Sequence, residues 1–196
     1  MNYGVGNLRS IKRGLEKSGA NVEITHSPED LRRSDAIVLP GVGAFAPAVR
    51  NLAPITDVVN EAIKNGKPIL GVCLGLQLLF TRSSEGGSIR GLDFISGDIV
   101  KLPENVKIPQ MGWNTLNIVQ SHPLLEGVKD NSYVYFVHSY YPQPSDPEVI
   151  VTTTEYGVRF PSMVAKQNLF ATQFHPEKSS KTGLTILKNF VRIVKR

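Results

Sequence analysis

The sequence predicts an α/β domain of three layers, with helices on both faces of a central mixed, mainly parallel sheet. Short apolar runs alternate with amphipathic helical stretches through the first half, which is the pattern of parallel strands joined by crossover helices. The second half is a succession of strand-like runs. At 196 residues the chain is long enough to bury one substantial core without disulfides or metals, so a single domain over 1–196 is expected.

Taken in order, Leu8 to Lys17 reads as a helix with Leu8, Ile11 and Leu15 on one face and Gly19 as its stop. Val22 to Thr25 and Ala36 to Leu39 read as short strands. Asp57 to Asn65 is a helix closed by Gly66, and Pro68 to Val72 is the next strand. Further strands are expected at Asp93 to Leu102, Thr115 to Val119, Tyr133 to Tyr140, Glu148 to Glu155, Met163 to Lys166 and Leu169 to Phe174. Gln167-Asn168 should turn the last two into a hairpin, and Gly183 to Val194 forms the final helix. The opening is short for this architecture, because only Met1-Asn2-Tyr3 precede the loop Gly4-Val5-Gly6-Asn7. Either the first strand is nearly absent or the natural chain starts earlier. A strand lost from mid-sheet would cost about 1 kcal/mol per unmade ladder bond.

Composition excludes several classes. Hydrophobic residues make up 41% and charged residues 20%, which is too ordinary for a disordered chain. No run approaches the roughly 18 apolar residues of a membrane span, and the N-terminus lacks a signal pattern. One unpaired cysteine suits a reducing cytoplasm, where the chain is expected to reside. The net charge of +5 invites a nucleic-acid reading. The excess, however, sits on polar helix faces (Arg9, Lys12, Arg13, Lys17; Lys188, Arg192, Lys195, Arg196) with no aromatic residues between, so solvated faces or an acidic partner fit better.

The chemistry centres on Cys73. Gly71-Val72-Cys73-Leu74-Gly75 lies between an apolar strand and an apolar helix, the thiol form of a nucleophile elbow. The flanking glycines avoid Cβ clashes at a sharp turn, and a helix start favours thiolate through its N–H groups and dipole. His175 and Glu177, two apart, share a face of an extended segment that Pro176 keeps out of the helical region. Cys73, His175 and Glu177 would serve as nucleophile, base and orienter. His-x-Glu is also half of a zinc deaminase signature, but that needs further cysteines, and no metal or cofactor site is expected. His26 and His122 lie in polar, turn-like stretches, while His138 could shape the pocket. The glycines of Leu39-Pro40-Gly41-Val42-Gly43 form either an ordinary turn or a cradle of N–H groups for an oxyanion. No Gly-Lys-Ser/Thr follows to make a phosphate loop.

Together Pro40-Gly41-Val42-Gly43, Gly71-Val72-Cys73-Leu74-Gly75 and Phe174-His175-Pro176-Glu177 resemble the class I (triad-type) glutamine amidotransferases, over nearly the whole chain. Their flavodoxin-like fold is the one the resemblance implies. Tyr3-Gly4-Val5-Gly6-Asn7, the segment from Pro109 to Asn114, Tyr135 to Tyr140 and His175 to Lys181 are similar to the glutaminase subunits of imidazole glycerol phosphate synthases. The departure is the front end, where that family has a full first strand.

The resemblance implies glutamine as substrate. Cys73 attacks its side-chain amide, an oxyanion is held by Leu74 N–H and an N–H of the Gly41-Val42-Gly43 segment, and water releases glutamate from a thioester. Gln77, Ser139, Tyr140 and Gly41 would bind the amino-acid head, with Glu85 at its ammonium. The implied partner is a (βα)₈-barrel cyclase subunit forming a heterodimer. It uses the ammonia to make imidazole glycerol phosphate, with aminoimidazole carboxamide ribonucleotide as co-product, in histidine biosynthesis. Trp113, Tyr135 and Lys178 are the interface candidates. The glutaminase subunit of pyridoxal phosphate synthase shares the fold and triad. A non-catalytic binding protein on the same scaffold is the alternative from another class.

Overall fold

The protein's architecture, taken from a computed structural model that describes residues 1–4 and 8–196, is built on one buried strand. Val5, Gly6 and Asn7 of the expected first loop lie outside the described residues. Strand β2 (Ile69–Val72) is buried at every position and pairs in parallel on both sides, with β1 (Ile37–Leu39) and β12 (Leu169–Thr172). Its side chains alternate between two cores, as a pleated strand must. Ile69 joins the core beneath α2 (Pro28–Arg33), α3 (Phe45–Leu52) and α4 (Thr56–Lys64). Leu70 and Val72 join the core under α1 (Leu8–Lys17) and α6 (Ser180–Val194). Two cores on opposite faces of one sheet give the three layers that the alternating pattern predicts.

Beyond β12 the sheet turns antiparallel through β11 (Arg159–Lys166), β10 (Ile150–Glu155) and β7 (Asn117–Ile118), in the order β1-β2-β12-β11-β10-β7. The hairpin between β11 and β12 turns at Gln167, whose φ of 54° is the left-handed conformation a two-residue turn needs. A second sheet, β4-β3-β5-β9, combines β3 (Phe80–Ser83), β4 (Ile89–Arg90), β5 (Ile95–Lys101) and β9 (Tyr140–Pro144). A separate ribbon pairs β6 (Gln110–Thr115) with β8 (Tyr133–His138). Among the described residues no helix is long and apolar enough to cross a membrane.

Two expectations are corrected. Residues 22–25 do not form a strand. Met1 and Asn2 bridge them to β1: the Met1 amino group donates to Val38 O at 3.0 Å and Asn2 N to Thr25 O at 2.7 Å. With one rung on each side there is no ladder, and a groove of about 890 Å³ opens there, floored by Leu15, Phe190, Val191 and Val194. The run expected at 133–140 is two strands, because the chain breaks at Ser139 and β9 joins a different sheet. Helix α3, which sequence reading did not mark, buries Phe45, Ala48 and Leu52 beside the elbow helix.

That elbow helix, α5 (Leu74–Leu78), lies closer to the sheet than a side chain would permit. A Cβ on Gly75 would stand 1.8 Å from Leu39 O, and one on Gly71 would stand 2.8 Å from Gly75 O. The obstacles are backbone atoms that cannot swing aside. Gly75→Ala should therefore lower stability by about 3 kcal/mol or more, the upper end of overpacking costs. A fall in the urea midpoint with unchanged slope checks this; an unchanged midpoint refutes the close approach.

Candidate active site

Cys73 occupies the corner between β2 and α5 with φ 54° and ψ −105°, a conformation that non-glycine residues rarely adopt. It is pinned in sequence from both sides: its N–H donates to Thr172 O at 2.7 Å and its carbonyl accepts from Gln77 N at 3.2 Å. The side chain is 6% exposed, with Sγ 3.6 Å from Val137 O and 3.7 Å from Gln173 Nε2. The helix it precedes is only five residues long, so its dipole is weaker than the longer apolar run foretold.

His175 leaves β12 and begins the short turn Pro176–Lys178. Its backbone is fixed by three contacts. His175 N donates to Tyr135 O at 2.9 Å, and its carbonyl accepts from Ser179 Oγ at 2.6 Å and from Lys178 N at 3.0 Å. The ring meets Glu177 Oε1 through Nδ1 at 2.9 Å, and both side chains are sealed from solvent, at 1% and 0% exposure. Burial drives the imidazole pKa down. Hydrogen bonding to Cys73 and Glu177, and then their charges, outweigh burial and push it up to about 9. By strict distance and angle, Nε2 has no hydrogen-bond partner. The ring therefore senses the Cys73 sulfur without a well-formed hydrogen bond to it, a contact of the kind that substrate tightens. A thiol, an imidazole and a carboxylate in this series can transfer a proton from sulfur and stabilise the resulting imidazolium.

A cavity of about 260 Å³ opens on Cys73. Val42 and Gly43 form one wall, and Leu74 and Gln77 rise from the elbow helix. Glu85, Ser139 and Tyr140 face them, and Pro109, Val137 and His138 complete the lining. Most residues that sequence reading assigned to substrate and oxyanion binding are thus brought to one place. Gly41 is not in the wall: it packs beneath, where a Cβ would stand 2.6 Å from Leu74 Cβ. Gly43, at φ 118°, has open space around it. The Gln77 amide nitrogen is committed to Tyr140 O at 3.0 Å and Gln173 Oε1 at 3.3 Å, so only its Oε1 is left for a ligand. Glu85 already accepts from Phe45 N at 3.0 Å, tying it to the start of α3.

The family model for class I glutamine amidotransferases matches residues 1–194. This chain belongs to that family. It is 52% identical over 197 residues to a protein of Archaeoglobus fulgidus, covering all of this chain and 98% of the relative. It is 50% identical to one of Natronomonas pharaonis, covering 97% and 92%, and 49% identical to one of Methanocaldococcus jannaschii, covering 99% and 98%. All three are named imidazole glycerol phosphate synthase subunit HisH. The fold is similar to a crystal structure of a glutamine amidotransferase, at TM-score 0.77 and 17% identity over 98% of this chain and 96% of the other. It is also similar to the glutaminase domain of Trypanosoma brucei CTPS, at TM-score 0.65 and 15% identity over 96% and 92%.

In this amidotransferase His138 does more than line the cavity. Its Nδ1 lies 2.8 Å from Tyr140 O, which can only accept, so Nδ1 carries a proton. Burial, with a smaller push from His175, lowers its pKa to about 4 against the raising effect of that bond. The ring is therefore neutral and Nε2 is an acceptor. Its 2.8 Å contact with the Gln110 amide is satisfied when that amide turns its NH₂ rather than Oε1 to the ring. Gln110 and Gln173 are polar residues that sequence reading left without a role; the first lies in the segment from Pro109 to Asn114 and the second in the strand expected at Leu169 to Phe174.

The two histidines give opposite pH signatures. His138 has a folded pKa below its usual 6.5, so stability falls as pH drops from 6.5 towards 4. His175 has a raised one, so its contribution is complete below 6.5 and is lost as pH rises through about 9. Between pH 7 and pH 5 the wild-type chain should lose about 2 kcal/mol more than His138→Gln. Urea titrations at both pH values measure the difference. Equal losses in the two proteins contradict a neutral buried His138.

Proposed function

We propose that this amidotransferase is the glutaminase subunit of an imidazole glycerol phosphate synthase. It hydrolyses glutamine to glutamate and ammonia and delivers the ammonia to a (βα)₈-barrel cyclase subunit. The observation that carries the reading is a cysteine that opens on a cavity and is backed by the buried His175–Glu177 pair, in a chain about 50% identical over its length to subunits of that synthase. Cys73 thiolate attacks the carboxamide carbon of glutamine. The tetrahedral oxyanion is met by Leu74 N–H, which starts a helix and has no intrahelical acceptor, and by Val42 or Gly43 N–H across the cavity. His175 delivers its proton to the leaving ammonia, and Glu177 holds the ring and steadies its charge. His175 then takes a proton from water as it cleaves the thioester. Ser139, Tyr140, the Gln77 oxygen and Glu85 hold the amino-acid head.

The partner surface follows from what lies behind His175. Trp113 (52% exposed) stacks edge-on against Tyr135 with ring centroids 5.9 Å apart, and Lys178 Nζ stands 5.8 Å over the same ring. Met111 and Tyr133 are 65% and 62% exposed on the same ribbon. The Tyr135 carbonyl receives His175 N–H, so a subunit docked on this patch presses on the backbone that carries the base. An aromatic and apolar patch beside a cation is the composition of an interface centre.

Glutaminase activity should be low in the isolated chain, rise with the cyclase subunit and its ribonucleotide ligand, and vanish in Cys73→Ala. Turnover persisting in that variant removes Cys73 from the nucleophile's role. Separately, Trp113→Ala should weaken cyclase binding at least tenfold while the unfolding free energy from urea titration stays within about 0.5 kcal/mol of wild type. Unchanged affinity by calorimetry moves the interface elsewhere.

A further inference from the structure

We propose that Gln173 acts directly on the nucleophile, donating a side-chain N–H to the Cys73 sulfur and favouring its thiolate. The inference rests on reading Cys73 as the nucleophile and adds a residue to which that reading gives no part.

Gln173 is fully buried, one residue past the end of β12 and two before His175. The β2–β12 register pairs Val72 with Thr172, so position 173 falls beside Cys73 as the two strands end. The orientation of its amide is dictated by its neighbours. Tyr140 O accepts from His138 Nδ1 at 2.8 Å and from Gln77 Nε2 at 3.0 Å; a carbonyl accepts only, so the Gln77 NH₂ must point that way. The same NH₂ lies 3.3 Å from the Gln173 amide, whose facing atom must then be oxygen. That leaves the Gln173 nitrogen turned to Sγ at 3.7 Å, within reach of a hydrogen bond to sulfur. The polar chain His138–Tyr140–Gln77–Gln173 thus ends with an N–H aimed at the nucleophile.

A thiol has little need of that donor, and a thiolate gains from it, because a hydrogen bond to the charged form lowers the cost of ionisation. It opposes a second polar neighbour, Val137 O at 3.6 Å, which accepts from the thiol and repels the thiolate. Gln173 also fixes the direction of the sulfur at a corner whose backbone is already strained.

Cys73 is the chain's one cysteine, so ultraviolet absorbance of the thiolate in the full-length protein, less the tyrosinate signal measured in Cys73→Ala, titrates this residue alone. Gln173→Met keeps the length of the side chain and removes the donor; its thiol midpoint should rise by about one unit. Gln173→Glu places a negative charge there and should raise it further. Iodoacetamide labelling at neutral pH should slow in step. A folded Gln173→Met with the wild-type midpoint overturns the proposal, and a purely structural role would lower the urea midpoint without moving the titration. Should Gln173→Met fail to fold, isotope-edited NMR of the wild-type chain decides. The Gln173 side-chain amide protons should shift with the thiol's titration, and their indifference to it overturns the proposal equally. Both readouts follow the sulfur and not turnover, so they stand apart from the Cys73→Ala assay that tests the nucleophile itself.

Discussion

Parallel pairing of β2 with β12, held in a single register, is the constraint on which the site depends. Thr172 sits opposite Val72, and the next rung is the Thr172 carbonyl on the Cys73 N–H. Both strands end there, so what each chain does next is decided within two or three residues. One bends sharply into α5 and leaves the thiol at the corner. The other carries Gln173, His175 and Glu177 past it. A slip of one residue would turn the side chains of β12 to the opposite face and separate Cys73 from His175 and Glu177.

The corner itself is possible because two glycines let backbone meet backbone. Leu39 O, on β1, lies against Gly75, and Gly75 O lies against Gly71. Strand β1 therefore does two things at once: it fixes the height of α5 over the sheet and leads through Pro40 into the segment that lines the cavity at Val42 and Gly43. Gly41 extends the same close packing onto Leu74. The Cys73 corner and the Val42–Gly43 wall of the cavity are in this way set by one set of backbone approaches, which is more rigid than side-chain packing and tolerates less change.

Around this frame the polar groups are buried and mutually oriented. His175 is held charged by its thiol and carboxylate neighbours, while His138, similarly buried but bonded to a carbonyl and an amide, is held neutral. The difference lies in partners, since burial pushes both the same way. Each amide in the chain from Gln110 to Gln173 has its direction set by a neighbour that can only accept or only donate. Replacing one of them would leave a buried group without a complement, which costs more than a lost surface bond.

Local rules made the helices α1 and α6, the hairpin at Gln167 and the elbow legible, because amphipathic period, turn residues and paired glycines act over a few residues. The contact between His175 and Glu177 was also readable, from their residue types and two-residue spacing. The strand expected at 22–25 failed because a strand exists only with neighbours, and Met1 and Asn2 supply one rung on either side. The break at Ser139 and the roles of Gln110 and Gln173 were hidden for a related reason. Glutamine is unremarkable in a sequence until packing removes water from it and leaves the direction of its amide to neighbours distant in the chain. Sequence by itself determined which groups can react. Which of them touch, and how each is protonated, was decided by the tertiary structure, because register and burial are properties of strands brought together and not of either strand alone.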